Sequence, residues 1–113
     1  MLTLHGTGDT MVIYNGGSFL GTPYPSASET VGFWSRFNGC SSQSLSDFTL
    51  ASTFDLETKL PDSETQFYTA NGCPSGVSVE HLKIIDGGHI PAFYYNKTAQ
   101  KVIEFFKRHT KSI

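Results

Sequence analysis

The chain is poor in charge: Asp, Glu, Lys and Arg make up 16% of its 113 residues, and the formal net charge is −2. Without a basic surplus, nothing in the composition calls for a nucleic acid or an anionic membrane as partner. The cations that do cluster, Lys107, Arg108 and Lys111, suit the last turn of a helix, where the backbone dipole favours positive charge. No apolar run approaches the roughly 20 residues that span a bilayer. No basic stretch followed by an apolar one marks a signal peptide. Cysteine is scarce too. Cys40 and Cys73 fit no zinc or redox spacing; in a secreted protein they read as a structural disulfide, in a cytosolic one as two inert thiols. His81 and His109 have no metal-ligand spacing with any acid, so neither metal nor cofactor is expected. Internal repeats and long linkers are lacking as well, which leaves one domain or part of one.

What is present is apolar and aromatic: 38% hydrophobic residues, with nine Phe, five Tyr and one Trp that need something to pack against. Leu2 and Leu4 alternate with Thr3 and His5 as a short strand does, and the strand runs into Gly6-Thr7-Gly8-Asp9. The apolar run Met11–Tyr14 stops at Asn15-Gly16-Gly17, and residues 18 to 25 read as an irregular loop. Ser26-Ala27-Ser28-Glu29 fits a capping box. Val31, Trp34 and Phe37 follow at helical spacing and Asn38-Gly39 closes the segment, so a helix is predicted over residues 27 to 38. Trp34 and the phenylalanines are expected in the core rather than on a sugar platform. Residues 41 to 63 fit either short strand pieces or an excursion loop. Thr65–Thr69 is β-prone, Asn71–Gly76 is a turn, and 77 to 85 is the strongest strand signal. An aromatic loop (90 to 95) then precedes a last helix started by Asn96 or Thr98, with Ala99, Val102, Ile103 and Phe106 as its apolar stripe. Asn96-Lys97-Thr98 also matches a glycosylation sequon, but serves equally as a helix start. The order strand, helix, β-containing excursion, strand, helix predicts the end of an α/β parallel sheet.

Two glycine turns carry the chemistry. One strand delivers Asp9, the other delivers His89 through Asp86-Gly87-Gly88. A carboxylate that accepts from one imidazole nitrogen fixes the tautomer and leaves the other nitrogen free as a base. Either residue alone would read as a turn former or a structural histidine. Together, in the order acid then histidine, they point to catalysis. The nucleophile is missing: no serine has a glycine two residues to each side, as a G-x-S-x-G elbow requires. Ser18 has Gly16 before it but Leu20 after it.

These residues resemble a known group. His5-Gly6-Thr7-Gly8-Asp9 with Val12 and Tyr14, then Glu29–Trp34 running into Asn38-Gly39-Cys40, form the first two sets. Gly72-Cys73 with Gly76-Val77, Val79-Glu80-His81-Leu82 and Gly87-Gly88-His89 form the third. The chain resembles the C-terminal part of a polyhydroxybutyrate-depolymerase-like or feruloyl-esterase-like (LpqC-type) α/β-hydrolase. The resemblance implies an incomplete α/β sheet of the last parallel strands with their helices, residues 1–113 forming a C-terminal fragment of one hydrolase domain. It implies that Asp9 and His89 are the triad acid and base, that Cys40 pairs with Cys73, and that the protein is secreted or periplasmic. Its substrate would be a carboxylic ester, either a polyester or a feruloyl or acetyl ester of a polysaccharide. In this group a Trp-Pro-Gly-like segment usually follows the histidine; here Ile90-Pro91-Ala92-Phe93 stands in its place, which alters the substrate-facing loop. His5 is expected to orient backbone, and Tyr94 and Tyr95 to pack under the last helix.

The function expected from the sequence is therefore that of a serine-esterase fragment that holds the acid and base but not the serine, and is inactive by itself. The alternative is a non-catalytic binding module derived from the same fold, self-associating through its incomplete sheet because bare strand edges pair readily.

Overall fold

The computed structural model describes residues 1–56, 60, 63–89 and 95–109. Along the chain its elements are β1 (Leu2–Gly6), β2 (Gly17–Phe19), β3 (Thr22–Tyr24), α1 (Ala27–Phe37), a single 3-10 turn at Leu45–Asp47, β4 (Thr49–Phe54), β5 (Thr65–Thr69), β6 (Glu80–Ile84) and α2 (Tyr95–Arg108). Four strands form one sheet in the order β1-β6-β5-β4, and β2 and β3 form a separate hairpin.

The sheet corrects the expected fold. Only β1 and β6 run parallel, with Leu2 opposite Glu80 and Gly6 opposite Ile84. β5 is antiparallel to β6, and β4 is antiparallel to β5 with a register shift between Leu50 and Ser52. The architecture is thus a small mixed sheet with two helices and a two-stranded hairpin, not the parallel end of an α/β-hydrolase sheet. Connection length explains the difference. A parallel return needs a crossover of a dozen residues or more, usually helical. Between β5 and β6 the chain has only residues 70–79, bent at Asn71-Gly72 and turned again at Ser75-Gly76. It must come straight back.

α1 forms as its sequence dictates. The Ser26 hydroxyl accepts from the Glu29 amide at 3.0 Å, and the Glu29 carboxylate reaches back to the Ser26 amide at 3.5 Å, completing the box. Asn38 closes the helix, its side-chain amide donating to the Trp34 carbonyl at 2.7 Å. The core joins Ala27 and Val31 of α1 to Tyr14, Cys40, Leu45, Phe48 and Val79, the residue before β6, with Trp34 and Tyr68 packed against it. Phe33 and Phe37, expected inside, are exposed and stack on each other at 6.0 Å between centroids. At 100° per residue the stripe is wider than the face the sheet can cover. Cys40 and Cys73 are bonded, S–S 2.09 Å, tying the end of α1 to the turn before β6.

Two further expectations move. Residues 18 to 25 are not irregular: they form the β2–β3 hairpin, turned through Leu20 (φ 49°) and Gly21 (φ 81°). Two left-handed residues match the twist of a hairpin, and Leu20 is the less usual occupant. On α2, Ile103 and Phe106 of the expected stripe are exposed. The helix is instead turned so that Phe105 and Arg108 face Leu2, Phe67 and Leu82 of the second sheet face across a cavity of about 140 Å³. Buried Glu80 sets that rotation: Arg108 Nη1 lies 2.8 Å from its Oε1, and Nη2 donates to Oε2 at 3.1 Å. His109 adds a 2.8 Å bond to the Ser78 hydroxyl. Periodicity identifies residues that share a face; a buried carboxylate decides which face turns inward. Among the described residues no helix is long and apolar enough to cross a membrane.

Candidate functional site

Asp9 and His89 meet because β1 and β6 are parallel neighbours that end at the same level. The turns that follow them interlock: Thr7 N–H donates to the Ile84 carbonyl and Gly8 N–H to the Gly87 carbonyl, both at 2.9 Å, and Asp86 N–H donates to the Thr7 hydroxyl at 2.8 Å. Three positions leave no room for a side chain. A Cβ on Gly6 would collide with the Gly87 carbonyl, one on Gly8 with the Asp86 carbonyl, and one on Gly87 with the Ile84 side chain. This close backbone approach brings together residues 80 apart in sequence, placing His89 Nδ1 at 3.0 Å from Asp9 Oδ2.

Asp9 is buried and fully engaged. Its Oδ1 accepts from the Met11 and Val12 amides, each at 2.9 Å, and Oδ2 faces His89. Burial pushes this carboxyl up, but the His89 hydrogen bond and the Val12 and Met11 amides outweigh it and hold it at about 2. At neutral pH the acid is a carboxylate, which can only accept. In its neutral form His89 therefore carries its hydrogen on Nδ1, and Nε2 holds the lone pair. Its side chain is 42% exposed, and no serine among the described residues bonds to it. Ser18, on β2, is exposed.

His5 joins the pair as a positioning group. Its Nε2 lies 2.7 Å from the Val12 carbonyl and 3.5 Å from Asp9 Oδ2. The carbonyl accepts, so Nε2 carries the hydrogen and pins the 9–12 turn around the carboxylate. That matches the backbone-orienting role expected of it.

Beside the pair lies a cleft of about 560 Å³ between β1 and α1, walled by Leu4, Met11, Val12, Phe19, Tyr24 and Val31. It shares Leu4, His5, Val12 and His89 with a smaller cavity of about 290 Å³ over Asp9 and Gly88. Sequence reasoning assigned no role to His81, which lines the cleft and is 1% exposed. Its Nδ1 is 2.7 Å from the Thr3 hydroxyl and its Nε2 is 2.9 Å from the Tyr14 hydroxyl. Burial, with smaller contributions from His5 and Lys83, pushes this imidazole down to about 4. Burial likewise pushes the Tyr14 hydroxyl up, so it remains a phenol. The signal for His81 was a histidine two residues after Val79 on a strand, the inward phase of a period-two pattern.

Tyr94 and the aromatic loop lie outside the described residues, as do Ile90–Phe93; Tyr95 begins α2, and its side chain is likewise outside the description. Among the described residues no group of three or more His, Cys, Asp or Glu is placed to hold a metal ion.

The arrangement can hold a neutral imidazole in one tautomer and offer Nε2 as a proton acceptor. Replacing Asp9 by Asn tests this. The amide would turn its NH₂ toward Nδ1, and His89 should switch from the Nδ1–H to the Nε2–H tautomer, read from its ring ¹⁵N shifts. An unchanged tautomer would mean that Asp9 does not set it.

No protein-family model matches the chain, and no curated protein or solved structure matches it either.

Proposed function

We propose that Asp9 and His89 are the acid and base of a carboxylic-ester hydrolase of the serine type, the kind the depolymerase-like and feruloyl-esterase-like sequence resemblance implies. The observation that carries this reading is the 3.0 Å bond from His89 Nδ1 to a carboxylate held ionised by two backbone amides. In the reaction a serine hydroxyl attacks the ester carbonyl while His89 Nε2 takes its proton. His89 then returns a proton to the departing alcohol, and water repeats the cycle on the acyl-serine. Asp9 keeps the imidazole oriented and stabilises its charged form. The serine is supplied from outside these 113 residues, because no G-x-S-x-G elbow occurs in them. A secreted or periplasmic location accords with the Cys40–Cys73 bond.

The chain alone should not release p-nitrophenol from p-nitrophenyl acetate above the buffer rate. The natural gene product that carries both this chain and a nucleophile should do so. In that protein His89→Ala and Asp9→Asn should each lower kcat by about 10³-fold or more. Full activity in His89→Ala would overturn the reading; so would turnover by the isolated chain that both substitutions abolish, since the serine would then lie within it.

A second reading, a non-catalytic interaction module, draws on β1, which is an edge strand among the described residues, and on exposed Phe33 and Phe37. Edge strands and exposed aromatics favour association. Size-exclusion chromatography separates the readings: a monomer at all concentrations removes the motive for the second.

A further inference from the structure

The cleft between β1 and α1 contains polar side chains, yet it offers little polarity to a ligand. The Thr3 hydroxyl is engaged by His81 at 2.7 Å, and the Thr30 hydroxyl donates to the Ser26 carbonyl at 2.9 Å. The Tyr24 hydroxyl accepts from the Ile13 amide at 2.9 Å. Both nitrogens of His81 are taken, by Thr3 and Tyr14. Among the described residues no Lys, Arg, Asp or Glu lines the cleft. What remains to meet an occupant is mainly hydrocarbon from Met11, Val12, Phe19 and Val31, with the Tyr24 hydroxyl as a donor and the rings of His5 and His89 where the cleft joins the cavity over Asp9.

A volume of about 560 Å³ lies within the range of small-molecule sites. An ionised group entering such a wall would lose its hydration without gaining a partner. A sugar would leave several hydroxyls unpaired for the same reason. An uncharged molecule with one polar end meets neither penalty, because that end can stay in water beside the half-exposed His89 while the rest displaces water from apolar surface.

We propose that this cleft is a binding subsite for the hydrocarbon part, aryl or alkyl, of an uncharged ester, with Phe19 on β2 and Thr30 and Val31 on α1 as its specificity-determining wall. That the ligand is an ester rests on the acid–base reading of Asp9 and His89; the binding itself does not. The two can fail separately.

The test is an amide NMR titration of the full chain with three probes: ethyl benzoate, benzoate, and methyl glucoside. Ethyl benzoate should shift the amides of Met11, Val12, Phe19 and Val31, and benzoate, with the same ring and a charge, should bind at least about tenfold more weakly. Methyl glucoside should leave these amides in place. Thr30→Trp, which fills the cleft from the helix side, should abolish the ethyl benzoate shifts. Should that variant fail to fold, Phe19→Ala, on an exposed hairpin, decides by weakening binding severalfold. Equal binding of benzoate, shifts centred elsewhere, or no shift at about 10 mM ethyl benzoate would overturn the proposal. So would cleft shifts on raising protein concentration alone, which would make a second copy the occupant. Binding without esterase activity in the nucleophile-containing protein would sink the acid–base reading and leave the cleft intact.

Discussion

Replacing both Cys40 and Cys73 by serine should lower the melting temperature by ten degrees or more. The bond spans 33 residues of sequence, and closing a loop of that size in the unfolded chain removes entropy worth roughly 3–4 kcal/mol. A domain of this length has total stability of about 5–15 kcal/mol, so the bond is a large fraction of it. The native side also suffers. Cys40 lies in the apolar cluster with Val31 and Val79, with Cys73 packed against it, and two serine hydroxyls there would need partners. The loss should be specific to the end of α1 and the turn before β6. Thermal melts with and without reductant check this for the unmodified chain. A shift of only one or two degrees on full reduction would mean that the core holds the α1 end without the bond.

Acid should destabilise the protein well before its carboxylates protonate. His81 titrates at about 4 when folded, against an ordinary value of 6.5. Between those two values the unfolded chain binds a proton that the folded chain refuses. Stability is therefore full above about pH 6.5 and falls as pH drops toward 4, by roughly 3 kcal/mol across the window. The refusal has a structural cause: the ring is buried between the Thr3 and Tyr14 hydroxyls, so charging it makes both nitrogens donors and leaves the cation without water. Asp9 acts in a lower range. Its folded value of about 2 lies below the ordinary 3.8, so its contribution is complete above 3.8 and is lost only as pH falls toward 2. The two groups are separable by urea unfolding at pH 7, 5.5 and 4. His81→Gln should be less stable than the parent at pH 7 and should lose much less of its stability on going to pH 4. Parallel pH curves for the two proteins would show that another group carries the acid response.

The local elements were the most legible. Ser26 and Glu29 specify the start of α1 by hydrogen bonds within four residues, and Leu2, Leu4 and the glycine turn specify β1 in the same local way. The contact between Asp9 and His89 was legible too, since two strands that each end in a glycine turn and an ionisable residue are simple to align on paper. Strand direction was not. Nothing local in Thr65–Thr69 tells whether it runs with or against β6; the ten residues between them decide it, and their length weighs more than the alternation of the strands. The β2–β3 hairpin escaped notice because its turn places a leucine, not a glycine or asparagine, at a left-handed position. The facing of α2 was illegible for a different reason. It depends on Glu80, 28 residues before Arg108, and a helical pattern contains no information about a distant carboxylate.

The register of β1 has a kinetic consequence. β4, β5 and β6 follow one another as an antiparallel meander, each pairing with its sequence neighbour. β1 pairs only with β6, Leu2 meeting Glu80 across most of the chain. Closing that loop is the most expensive single entropy loss in the sheet, and contacts of such long range are formed slowly. Asp9 and His89 sit at the far end of this pairing, so their meeting reports that the whole topology is complete. A downfield proton on His89 Nδ1 would be the last signal of refolding to return, and the first to vanish when the edge strand frays.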